Sequence, residues 1–295
     1  MRTILTLAAV RIRITLRNKA FIFFSLVMPL GFFFLYGSVF AGGNSQKVAV
    51  LMGPILSLTV MGTFWGLSMQ LVTWREQGIL RRFRLAPLSP AHMIGASIVA
   101  NYVLILPTII VELLLARFIY HVTAFGNLVS LFVLILFGIT SFGAMGLVVA
   151  SVTNTMQETQ IINQLLLFAF IFLSGATVPL LVLPHIVQRI GLFLPATYLV
   201  SGLQRAMVFH QGVLSLWVEL VSLGAWGALA FFLSSSLFRW EPEAKLPRNA
   251  KLWAVSTVLP FILLGIWENH NGKLLRSAGS MMDRFEMSAP SDKSR

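Results

Sequence analysis

Glu112 and Glu219 are carboxylates set inside long apolar runs, where an ionised group is costly unless it is paired or wet. Each lies toward the end of its run where Arg117 and Arg205 also fall. The chemistry open to them is therefore an ion-pair network including Arg205, with a cargo contact or a proton relay as the functional alternatives. Other reactive types are sparse. His92, His121, His185, His210 and His270 show no metal-ligand spacing, and without a single cysteine there is neither a thiolate nor a disulfide, so no metal is expected. No G-x-x-x-x-G-K-[ST] loop occurs: Gly272-Lys273 is followed by Leu274 and lacks the upstream glycine. No nucleophile and base pair marks an intramembrane enzyme, and the chain is read as a non-enzyme with no cofactor bound directly.

The elements that must position these groups follow from composition. Of 295 residues, 57% are hydrophobic and 11% charged, and the mean hydropathy is +0.84. That leaves too little polar side chain to cover a soluble surface, so the chain belongs in a bilayer. The net charge of +12 is spread between apolar runs rather than gathered with stacking aromatics, which excludes nucleic acid as a partner. It follows instead the rule that places Lys and Arg on the cytoplasmic side of membrane spans.

Six spans are expected: Ala20 to Phe40, Val48 to Thr73, Met93 to Ala116, Leu128 to Ala150, Ile161 to Leu183 and Val213 to Phe238. Segments 1–19, 74–92 and 239–251 hold thirteen basic residues, while Lys47, Arg117, Arg189 and Arg205 are the four on the other side. The N-terminus is thereby placed in the cytoplasm. Residues 1–19 read as an interfacial helix on anionic headgroups, in which Arg2, Arg13 and Arg17 share a face and Arg11 points away. A disordered basic arm is the alternative.

Residues 184–212 are apolar but broken by Pro184, Gly191 and Pro195, and read as a re-entrant or interfacial hairpin on the outer side. The phenylalanines of the first span, Phe21, Phe23, Phe24, Phe32, Phe33 and Phe34, suit lipid, although some would equally suit an apolar cargo path. Two domains result: a transmembrane domain, 1–240, and a C-terminal extension, 241–295. The extension contains the apolar stretch Leu252 to Trp267, expected to cross as a seventh span with interfacial docking as the alternative, and then a polar tail. Gly62 and Gly66 form a GxxxG in the second span that permits close helix approach, either at a dimer seam or within one chain.

Trp74-Arg75-Glu76-Gln77-Gly78-Ile79-Leu80, followed by Leu85-Ala86-Pro87-Leu88-Ser89-Pro90, resembles the coupling region of the type-2 ABC permease (ABC-2 membrane) family. Leu173-Ser174-Gly175, Pro179, Pro184 and Leu194-Pro195-Ala196-Thr197-Tyr198 resemble that family's segment between its last two spans. Arg17-Asn18-Lys19 with Pro29, Gly37 and Phe40 is similar to its drug and lipid exporter branch. Gln77 departs from the charged residue common at its position, and the segment after residue 240 has no family counterpart.

The resemblance implies an all-α membrane protein of the bacterial inner (plasma) membrane. It implies the permease subunit of an exporter of hydrophobic or amphipathic cargo, working as a homodimer or a heterodimer with a second permease among membrane lipids. ATP would be hydrolysed by separate ABC ATPase subunits gripping Arg75, Glu76, Gly78, Arg81, Arg82 and Pro87. The alternative from another class is a membrane assembly or scaffold protein that moves no cargo. A secondary transporter fits less well, because the two halves lack matched broken helices.

Overall fold

The structure is a computed structural model describing residues 2–17, 19–83, 88–178, 180–241, 259–272, 274, 276 and 278–280. Among these residues it is helical with no strand. The chain order is α1 (Arg2–Arg17), α2 (Lys19–Phe34), α3 (Ser45–Glu76), α4 (Ile79–Phe83), α5 (Pro90–Phe118), α6 (Leu128–Val152), α7 (Met156–Leu173), α8 (His185–Gly191), α9 (Pro195–Val208), α10 (Trp217–Ser236) and α11 (Leu259–Asn271).

Among the described residues five helical stretches are long and apolar enough to cross a membrane: α3, α5, α6, α7 and Val213–Ser236, the last being α10 with the 3-10 turn before it. α2 runs on into the π-helical turn Leu35–Phe40, and its apolar part, Leu26–Phe40, is shorter than the others. The outer hairpin expected over 184–212 is the pair α8 and α9, bent by 90° at Leu192–Leu194. The fifth span differs from its expected bounds. It begins at Met156, because the Thr155 hydroxyl caps the helix by accepting the Glu158 N–H, and ends at Leu173, where Gly175 takes a φ of +87°. The polar loop expected over Ser151 to Gln160 thus shrinks to Thr153–Thr155.

The bundle centres on α3, which packs against α6, α9, α7 and α5. Backbone contact is close where glycine allows it. A Cβ on Gly146 of α6 would stand 2.1 Å from the Phe64 carbonyl oxygen of α3, and one on Gly53 of α3 would stand 2.8 Å from the Gln204 backbone nitrogen of α9. Phe64, Phe142, Phe170 and Trp226 join α3, α6, α7 and α10 through edge-on ring pairs 5.1 to 6.4 Å apart. Such pairs contribute about 0.5–1.5 kcal/mol each beyond area burial.

Arg13, Arg17, Arg75, Arg81, Arg82 and Arg239 define one end of the bundle, called here the basic end. α1 lies there against α5 and α3, Ala8 packing on Ala96 and Ala100. Residues 252–258, the first part of the apolar stretch in the extension, lie outside the described residues. On either side of that gap, Glu241 stands near Arg81 at the basic end, while Trp267 of α11 meets Trp217 at the other.

Candidate functional site

The loop between α3 and α5 forms a surface at the basic end. Gln77 and Gly78 terminate α3, with Gly78 at φ +69°, a conformation that glycine adopts without strain. α4 then turns Leu80 fully inward, into a core shared with Leu71, Trp74, Ile94, Leu147 and Leu233 from α3, α5, α6 and α10. Arg81 and Arg82 face outward, and Arg81 Nε lies 3.8 Å from Glu241 Oε1. Pro87 lies outside the described residues. Ser89 and His92 close a capping box at the start of α5, which gives that histidine a structural role.

Glu76 does not pair with the arginines of α4. Its Oε1 accepts the N–H of Met156, 2.8 Å away at the start of α7, where a carboxylate also meets the positive end of the helix dipole. Arg75 likewise turns from the solvent, only 1% exposed, donating from Nη1 to Ala150 O at 2.7 Å and from Nη2 to Thr153 O at 2.6 Å. Arg239, just beyond α10, reaches the same turn. It donates from Nε to Ser151 O at 3.2 Å, from Nη1 to Asn154 Oδ1 at 2.9 Å, and from Nη2 to Thr153 O. Burial lowers the Arg239 pKa, an effect partly offset by Glu158.

Arg11 is the corresponding anchor of α1. It points away from Arg13 and Arg17 and into the bundle, bonding Ser97 Oγ and Gln70 Oε1 and lying 5.2 Å from the centre of the Trp74 ring. Burial brings its pKa down to about 9, which leaves the guanidinium charged at neutral pH.

A small, charged, inward-anchored helix between two long apolar helices is the local form that the coupling resemblance required. The sequence profile of the ABC-2 type transporter family matches residues 2–208. The chain belongs to the ABC-2 type transporter family. It is also similar to a protein of Bacillus subtilis (strain 168) assigned as a transport permease, YvfS. The two are 28% identical over 243 residues, which cover 78% of this chain and 94% of that protein. The chain is thus a multi-pass membrane transport subunit of the ABC class.

The remaining polar groups of this ABC-2 permease separate into two places. At the end away from α4, Arg205 bonds the Glu219 carboxylate, Gln211 Oε1 at 2.8 Å and Ser215 O at 3.3 Å. Glu112 stands apart from that pair. It is fully buried and accepts from Thr59 Oγ1 at 2.7 Å, while Arg117 donates to Val122 O. The expected joint network of Glu112, Glu219, Arg117 and Arg205 is therefore corrected to one ion pair plus a separately bonded carboxylate, because similar depth did not bring the helices' facing sides together.

Gly62 is exposed, and a Cβ there would meet nothing within 4 Å, so it makes no close helix contact among the described residues; Gly66 is half-buried. Among the first-span aromatics, Phe33 is buried against Tyr120 at 5.5 Å while Phe23 and Phe34 are exposed. Sequence reasoning missed the buried roles of Arg75, Arg239 and Arg11 toward the core. Of these, Arg11 carried a signal, since its helical phase opposes that of Arg13 and Arg17.

Proposed function

We propose that this permease is the membrane half of an ATP-driven exporter, that its basic end is cytoplasmic, and that α4 with its flanking residues docks a separate ABC ATPase. The observation that carries this reading is α4 itself. Arg81 and Arg82 are offered to a partner, while Leu80 and Trp74 fasten the same short helix to a core shared by four long helices. A load on the outer face of α4 would therefore reach the bundle directly.

The cytoplasmic placement in a bacterial inner membrane rests on the thirteen-to-four distribution of basic residues. Outward movement of hydrophobic or amphipathic cargo rests on the resemblance to the drug and lipid exporter branch, and fits apolar helix surfaces such as Ile161, Leu165, Phe168 and Phe172 on α7. Pairing with a second permease subunit, identical or not, is proposed at the face holding Gly62, where a Cβ would meet nothing within 4 Å among the described residues. The extension is proposed to cross over Leu252 to Trp267, in keeping with Glu241 before that stretch and Trp267 at its end standing at opposite ends of the bundle.

The test is Arg81→Glu with Arg82→Glu in one chain. Both side chains are exposed, so the variant should accumulate in the membrane at the wild-type level. The copurifying ATPase and the ATP-dependent efflux of a lipophilic dye should both be lost. Full retention of both would exclude α4 as the dock.

A further inference from the structure

The turn between α6 and α7 is held by side chains from α3, from the segment just beyond α10 and from the first turn of α7. A helix C-terminus leaves four carbonyls without intrahelical partners and carries the negative end of the helix dipole. At the end of α6 three carbonyls are taken by two buried guanidinium groups, Arg75 from α3 on Ala150 O and Thr153 O, and Arg239 from beyond α10 on Ser151 O and Thr153 O. Thr153 O thus accepts from both arginines. On the other flank Glu76 Oε1 takes the Met156 N–H, Glu158 Oε2 takes the Asn154 N–H at 2.8 Å, and Thr159 Oγ1 donates to Thr153 Oγ1 at 2.8 Å.

Two features make this assembly stiff. The guanidinium fork is planar, so each pair of bonds fixes an orientation as well as a distance. Two like charges brought to one turn are stable only while the carbonyls and the carboxylates of Glu76 and Glu158 stay in place, so partial opening is costly. The joint is also contiguous with the docking helix, for Glu76 ends α3 and Ile79 begins α4.

We propose that Arg75 and Arg239 are positioning residues that lock the ends of α3, α6, α7 and α10 into one rigid body throughout the transport cycle. ATPase closure on α4 then moves the four helices together rather than α3 alone. The inference rests on the reading of α4 as the ATPase dock. It adds that the α6–α7 turn, which carries no basic residue of its own, transmits force without needing to touch the partner.

The chain has no cysteine, which allows a direct test. Thr73 Oγ1 of α3 lies 3.6 Å from Met156 Sδ of α7, across the joint. Thr73→Cys with Met156→Cys, bridged by oxidation or by a short bis-methanethiosulfonate, ties the two helices covalently. A rigid joint predicts that the bridged permease, reconstituted with its ATPase, exports dye at the rate of the same variant left reduced. Export that is lost on bridging and restored by reduction would overturn the proposal.

A second arm uses Arg75→Lys and Arg239→Lys together, which keep the charges and remove the forks. The expected result is uncoupling: the ATPase still copurifies and hydrolyses ATP, while dye moved per ATP falls by about tenfold. An unchanged ratio would overturn the proposal. If the lysine variant does not fold, the bridged pair decides. Failure of the dock itself shows differently, as an ATPase indifferent to reversal of Arg81 and Arg82.

Discussion

At the basic end Arg75 and Arg239 give their guanidinium protons to main-chain carbonyls of the last turn of α6, whereas at the other end Arg205 gives one to the carboxylate of Glu219. The difference follows from topology. The basic end gathers Lys and Arg, and the acids nearest its buried cations, Glu76 and Glu158, are taken up by the backbone N–H groups of Met156 and Asn154, so those cations find the free carbonyls of a helix terminus. The other end carries few cations, and there the half-buried Arg205 meets an acid. A carbonyl-held arginine keeps its local positive charge beside the docking surface; a carboxylate-held one does not.

The two arrangements should fail unequally. Arg205→Met leaves Glu219 fully buried beside an empty place, and breaking a buried pair in this way costs about 3–5 kcal/mol. Thermal unfolding in detergent should show this as the largest loss of stability, and Arg205→Met with Glu219→Gln should recover a good part of it. If the double variant were no more stable than the single one, the pair would not be what Arg205 supplies.

Arg75→Met removes a cation without orphaning an acid. It frees the Ala150 carbonyl outright, while Thr153 O keeps Arg239, so the cost should be about 1–3 kcal/mol in the same assay. A loss equal to that of Arg205→Met would erase the distinction between the ends. Smaller still is Gly62→Ile, which adds a side chain where a Cβ meets nothing. Stability of the single chain should change by less than about 0.5 kcal/mol, while self-association in detergent, read by light scattering, should weaken. Unfolding of the chain would mean that Gly62 packs internally after all.

Which parts of this were legible in the residues divides along the same physical line. The long apolar runs announced α3, α5, α6 and α10, because twenty or so apolar residues have no other stable place. Pro184 and Pro195 announced the bend between α8 and α9. The start of α7 was hidden, since Met156-Gln157-Glu158-Thr159-Gln160 reads as a polar loop until Thr155 is seen to cap it.

Arg75 was misplaced for a related reason. A charge beside a predicted loop reads as surface, and the carbonyls that bury it come from residues 75 and 78 positions away. Glu112 was grouped with Arg117 and Arg205 by depth alone; its actual partner, Thr59, sits on another helix whose facing side no apolar pattern revealed. Span positions are written in composition, while polar pairings depend on helix rotation, which uniformly apolar helices leave unspecified.

The measurement that bears most directly on the account is the side and neighbour of residue 82. Arg82→Cys supplies a single exposed thiol on α4 in a chain with no other. The account predicts that in intact cells this thiol resists a membrane-impermeant maleimide, that it reacts in inverted vesicles, and that a short thiol-to-amine cross-linker joins it there to the copurifying ATPase. Rapid labelling in intact cells, or labelling in inverted vesicles with no cross-link to the ATPase, would contradict it.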